Sequence, residues 1–323
     1  MKKNSLIFLV TIFVLFSACG GDDEEIDPVY RQYMREFVEG LSAYAKTKKS
    51  SFIIIPQNGQ ELVTENGEED GSPDNSYLQA IDGVGREDLF YGYDDDNQAT
   101  PGDERDYMLA FLNVCKNNNV KVLVTDYCWT QSKMDDSYMQ NNNRGFISFA
   151  APDRELRKIP DFPAVPYHMN SDNITSLSVA KNFLYLLNPE EFLSKQDFLN
   201  ALNETNYDVL IIDYFFDDEE YTNQEIAALK HKKNGCTRLV ISYLSIGEAE
   251  DYRYYWNDSW YSNPPSWLKG ENPDWEGNYK VAYWETGWQN IIFGNSNAYL
   301  DKIIARGFDG AYLDIIDAFE YFE

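Results

Sequence analysis

The chain alternates short apolar runs with stretches in which apolar residues recur every three or four positions. Between Tyr30 and Lys46, the residues Tyr33, Met34, Phe37, Val38, Leu41 and Tyr44 mark one face of a helix turned towards a core. The run at 51–59 (SFIIIPQNG) predicts a strand, as do 81–92, 120–128, 182–188, 208–216, 237–251, 279–288 and 310–317. Helical spacing returns between several of these, over Tyr107–Lys116, Ser194–Leu202, Asn223–Lys233 and Asn295–Arg306, with Ser194 as a cap. Residues 65–75 read as a polar excursion, 93–106 as an acidic loop, and 129–175 as irregular surface loops.

Eight strands, most separated by helices in a chain of 323 residues, predict the α/β class and a (β/α)8 TIM barrel. The last strand, at 310–317, has no helix after it, whereas the first has a spare helix before it. Closure would make these two elements neighbours, so that the N-terminal helix covers the C-terminal strand. That is the order of a circularly permuted barrel. An open doubly wound sheet is the competing architecture.

Residues 1–18 read as a secretory signal: Lys2 and Lys3, an apolar run from Leu6 to Phe16, then Ser17-Ala18-Cys19. The run is short for a membrane span. A Cys at the cleavage point resembles the lipobox of bacterial lipoproteins, which implies acylation at Cys19 and attachment to the outer membrane at the cell surface. An ordinary signal with an incidental Cys is the other reading. Residues 19–29 form an acidic tether, and 30–323 are read as one domain.

The net charge of −27 argues against a nucleic-acid partner and suits either a cationic partner or simple solubility. Cys115, Cys128 and Cys236 make neither a disulfide framework nor a zinc site, although one disulfide stays open. With only two histidines, His168 and His231, carboxylates are the chemical agents left. Asp94-x-Asp96-x-Gln98 loosely echoes a calcium loop, but Ala99 stands where the sharp-turn Gly is required. No metal or cofactor is expected.

The predicted strand ends carry acids beside aromatics: Asp126 with Tyr127, Asp213 with Tyr214, Glu248 and Glu250, Trp284 with Glu285, Asp314 and Asp317, and Glu87 before Phe90. In a barrel these ends line one mouth, where aromatic rings stack on sugars and a protonated and an ionised carboxyl together cleave a glycosidic bond. Core packing is the plainer reading of any one aromatic.

Here YLSIGEAEDYRYYW (243–256), GFDGAYLDIIDAFEYF (307–322), FIIIPQNGQEL (52–62) and DGVGREDLFYG (82–92) resemble glycoside hydrolase family 114, the endo-α-1,4-polygalactosaminidases and their relatives. The resemblance implies a (β/α)8 barrel and no cofactor. It implies Asp314 as nucleophile or base and Glu87 as proton donor, with the roles exchangeable. It implies supporting positions at Asp213, Tyr243, Glu248, Asp317 and Arg86, the last pairing with an acid. Asp126, Trp284 and Trp288 are further candidates for sugar contact. The implied substrate is a cationic galactosamine polymer. In that family the stretch like 52–126 follows the stretch like 307–322, an order reversed here. The rival readings are a glycan-binding lipoprotein with a silent barrel, and a hydrolase of another polysaccharide.

Overall fold

A computed structural model describes residues 29–323. Cys19, the signal segment and nearly all of the tether lie outside the described residues. Eight strands pair in parallel: β1 (Ile53–Pro56), β2 (Gly83–Glu87), β3 (Lys121–Tyr127), β4 (Ile147–Ala151), β5 (Phe183–Leu186), β6 (Val209–Ile212), β7 (Leu239–Ser245) and β8 (Gly310–Asp314). One sheet runs β5-β6-β7-β8-β1 and the other β2-β3-β4. Between β1 and β2 stand a bridge from Gln57 to Gly85 and a hydrogen bond from Asn58 N to Gly85 O at 2.9 Å. At the other edge Phe149 of β4 faces Phe183 of β5, their rings 5.9 Å apart. The molecule is therefore an α/β protein with a central parallel sheet. Its strands are buried on both faces, which is why they read as continuous apolar runs.

The helices are α1 (Val29–Lys48), α2 (Asn75–Ala80), α3 (Gly102–Asn117), α4 (Gln131–Arg144), α5 (Lys195–Asn203), α6 (Asn223–Leu229), α7 (Thr286–Ile292) and α8 (Tyr299–Arg306). Ser194 caps α5, accepting from the Asp197 amide at 3.2 Å. Helix α1 buries Met34, Phe37, Val38 and Leu41, each contributing on the order of 2 kcal/mol through burial. It meets α8 through the Tyr44 hydroxyl, which donates to Asp301 at 2.6 Å. It meets the segment after β8 through an Arg31–Glu323 ion pair at 3.0 Å. The N-terminal helix thus lies against the C-terminal residues.

Two expectations are corrected. The segment 129–175 is not irregular throughout, because it holds α4 and β4. Helix α4 escapes a hydrophobic-period reading because half of its buried face is polar. Met134 and Tyr138 are joined there by Ser137 and Asn141, which donate to the buried Asp126 at 2.6 and 3.1 Å. The run at 279–288 is not a strand of the parallel sheet. Its first residues belong to a strand, Asn278–Val281, that pairs antiparallel with Glu248–Glu250 and Leu268–Glu271 in an insert between β7 and α7, and its last residues begin α7. The parallel strands still number eight because β4 takes its place. Cys115, Cys128 and Cys236 are all free thiols.

Candidate active site

A cavity of about 590 Å³ opens where β1, β2, β3, β6, β7 and β8 end. Strand register sets its floor. Leu313 of β8 lies level with Pro56 of β1, so Asp314 stands beside Gln57, which in turn pairs with Gly85 of β2. Glu87 lies two residues further along β2. Asp314 and Glu87 therefore come from the strands on either side of β1, not from adjacent ones, and both line the cavity. Gly85 is required below them, because a Cβ there would collide with the Tyr312 hydroxyl.

The two carboxyls have different surroundings. Glu87 is met by donors: Gln57 Nε2 at 2.6 Å and Asn58 Nδ2 at 3.1 Å reach Oε2, and the Tyr127 hydroxyl donates to Oε1. Such a shell suits an acceptor-only carboxylate. Asp314 has one side-chain donor, the Tyr243 hydroxyl at 2.7 Å. Burial, then the charge of Glu87, push its pKa from 3.8 up to about 7. Asp317, also on the cavity wall, is raised to about 7 by burial and by Glu320.

Asp213, at the end of β6, lines the same cavity and is held by Arg253, whose guanidinium donates to both its oxygens at 2.9 and 2.8 Å. Arg253 also donates to Glu250 at 2.7 Å and lies over the Tyr252 ring at 5.1 Å. On the opposite wall Arg154 is tied to Asp88 and Asp96 and lies 3.9 Å above Tyr127. Burial lifts Asp88 to about 6 despite that arginine. Nine acids and two arginines line the cavity, leaving it strongly negative.

Of the residues singled out in the sequence, Asp314, Glu87, Asp213, Tyr243 and Asp317 meet here. Five others do not line the cavity. Asp126 is fully buried and binds the amides of Phe90 and Tyr91 together with α4. Glu248 is fully buried and accepts from Asn272, Asn278 and Tyr321, tying the insert to the C-terminal segment. Arg86 donates to Gln60 at 2.8 Å rather than pairing with an acid. Trp284 packs among Tyr30, Tyr33 and Phe322. Trp288 is wholly enclosed, its Nε1 donating to the Ile246 carbonyl at 2.8 Å. These five serve the fold.

Tyr127, a strand-end aromatic expected at the mouth, does line the cavity, whereas Gln57, Asn58, Arg154, Arg253 and Trp275 line it without having been singled out. Trp275, on the insert, lines the cavity while 56% exposed, whereas Trp284 and Trp288 do not line it. A Trp in the polar, Gly-containing stretch Asp274–Asn278 was the available signal. Among the described residues no cluster of His, Cys, Asp and Glu could hold a metal ion.

Residues 171–322 match the model of glycoside-hydrolase family GH114. Over 155 residues the chain is 46% identical to an uncharacterized protein of Methanocaldococcus jannaschii, covering 47% of this chain and 42% of that protein. Uncharacterized proteins of Thermotoga maritima and Deinococcus radiodurans are 42% and 43% identical over 123 and 122 residues. Those matches cover 37% and 38% of this chain, and 36% and 37% of the two relatives. The matches thus span less than half the length of these relatives. The family segment contains Asp213, Tyr243, Arg253, Asp314 and Asp317, whereas Glu87, Gln57 and Tyr127 precede it. The match over residues 171–322 supports the assignment of the chain to glycoside-hydrolase family GH114.

Proposed function

We propose that the protein is a glycoside hydrolase that cuts within an α-1,4-linked, galactosamine-containing polysaccharide, using Asp314 and Glu87. The observation that carries this reading is the unequal pair: one carboxyl raised to about 7 and one surrounded by donors, both on the floor of one acidic cavity. Unequal environments let two carboxyls hold opposite protonation states at one pH. The roles are then the exchange of those expected first. Asp314 gives its proton to the glycosidic oxygen as the C1–O bond breaks. Glu87, ionised, attacks C1 or takes a proton from the attacking water. The products are a new reducing end and a free hydroxyl, with one water consumed. The excess of acids around the cavity favours a sugar that carries ammonium groups.

The supporting scaffold in this reading is a (β/α)8 barrel in permuted order, joined between β1 and β2 and between β4 and β5. Export and lipid anchoring at Cys19 belong to the same proposal, on the strength of the N-terminal motif.

The test is oligosaccharide release from partly deacetylated α-1,4-galactosaminogalactan. Wild type should release fragments, while Asp314→Asn and Glu87→Gln should each lose roughly 10²–10⁴-fold in rate. Equal release by all three rejects the pair. Binding of intact polymer without release turns the assignment to a glycan-binding protein.

Trp275 gives a second measurement. Its exposed ring offers a stacking face at the cavity wall, so Trp275→Ala should raise KM about tenfold, a loss near 1.4 kcal/mol, and leave kcat within about threefold. An unchanged KM removes Trp275 from the binding surface.

A further inference from the structure

Gln57 stands between the two carboxyls at the end of β1, and only 3% of it is exposed. Its Nε2 donates to Glu87 at 2.6 Å, and its Oε1 accepts from the Tyr185 hydroxyl at 3.0 Å. Tyr185 comes from β5, at the far end of the sheet order from β1, and is almost wholly buried. Among the described residues that hydroxyl has no other hydrogen-bond partner. We propose that Tyr185 is a positioning residue for Glu87: by donating to Gln57 it fixes which end of the amide faces the carboxylate, and so keeps Glu87 an acceptor.

An amide turned by 180° presents oxygen where it presented nitrogen. With Glu87 ionised, the observed orientation gives both the Tyr185 hydroxyl and the Gln57 amide group an acceptor. With Glu87 protonated, the acid can donate to a turned Gln57, whose NH₂ then faces Tyr185. The tyrosine O–H is left buried without an acceptor, which is costly. Tyr185 thereby penalises the protonated state of Glu87. Removing its hydroxyl removes that bias, since each orientation of Gln57 then leaves one of its own polar atoms unpaired.

Other groups also face Glu87. Tyr127 of β3 donates to it, with Arg154 stacked on that ring. Asp314 and Tyr312 of β8 lie close enough to feel its charge, and Arg86 and Asp88 flank it in sequence. Tyr312 is the useful contrast, because it is as buried as Tyr185, lies 5.1 Å from it ring to ring, and its hydroxyl has no hydrogen-bond partner among the described residues. Loss of the Tyr312 hydroxyl should leave Glu87 as it is.

The experiment compares wild type, Tyr185→Phe and Tyr312→Phe, with ¹³C-carboxyl glutamate introduced and the Glu87 signal assigned by its loss in Glu87→Gln. In Tyr185→Phe the Glu87 titration midpoint should rise by about half a pH unit or more, and in Tyr312→Phe it should stay put. The acidic limb of kcat/KM on galactosaminogalactan should move with it. If Tyr185→Phe does not fold, Gln57→Met removes the same tie and should move the midpoint in the same direction. An unmoved midpoint in a folded Tyr185→Phe or Gln57→Met protein overturns the proposal. It rests on the hydrolase reading only in its activity arm. A shifted midpoint in a protein that cleaves nothing keeps the positioning role and fails the enzyme reading instead.

Discussion

Replacing Asp314 by Asn is expected to silence hydrolysis and, at the same time, to make the protein more stable at alkaline pH. In the folded protein burial and the neighbouring Glu87 raise this acid from 3.8 to about 7, so the fold binds its proton more tightly than the unfolded chain does. Stability therefore falls as pH rises between about 4 and 7, and the full penalty is present above 7. A shift of that size corresponds to roughly 4 kcal/mol at most, and about 2 kcal/mol once the partial exposure of Asp314 is allowed for. Asn keeps an oxygen for the Tyr243 hydroxyl and carries no charge. Urea unfolding at pH 8 and pH 4 checks this: the variant should gain at pH 8, and the gain should vanish at pH 4. Equal stability at pH 8 would mean that Asp314 is comfortably ionised and cannot be the proton donor. Wild-type activity should carry the matching signature and fall as pH rises through about 7. An activity that rises through the same range would return the nucleophile's role to Asp314.

Arg253→Met is expected to cost about 3–5 kcal/mol of stability, because it strands two acids that the arginine now joins. The Arg253 side chain is 7% exposed, and its guanidinium is shared by Asp213 and Glu250, whose side chains are 16% and 3% exposed. Methionine fills much of the volume and replaces none of the charge. The triple variant Arg253→Met, Asp213→Asn, Glu250→Gln should recover most of the loss, which a simple packing defect would not allow. Chemical denaturation of the single and triple variants decides it. A single variant within about 1 kcal/mol of wild type would show that water reaches and relieves both acids.

Residues whose type dictates their place were readable in advance. The stripe of α1, the cap at Ser194 and the apolar runs of seven parallel strands all follow from burial patterns that a linear pattern carries. Helix α4 was not readable, since Ser137 and Asn141 look like solvent-facing residues until Asp126 is known to lie beneath them. Nor was the direction in which a strand pairs. Tyr279–Val281 has strand chemistry in either setting, and its antiparallel partners lie about ten and thirty residues upstream. For the site, acids at strand ends pointed to Asp314, Glu87 and Asp213. The same logic over-counted, because a buried acid that holds a helix and a buried acid that meets a substrate look alike in sequence. Asp126 and Glu248 were mistaken in that way. Gln57 and Tyr185 were missed because their importance lies in one another, 128 positions apart.

The floor of the cavity draws one carboxylate from β2, near the front of the chain, and the other from β8, near its back. Neither half therefore carries both members of the proposed catalytic pair, and the family segment alone holds only one of them. Competence is a property of assembly: it arises when the distant portions have docked, so turnover would report on the integrity of the whole architecture rather than on any one motif.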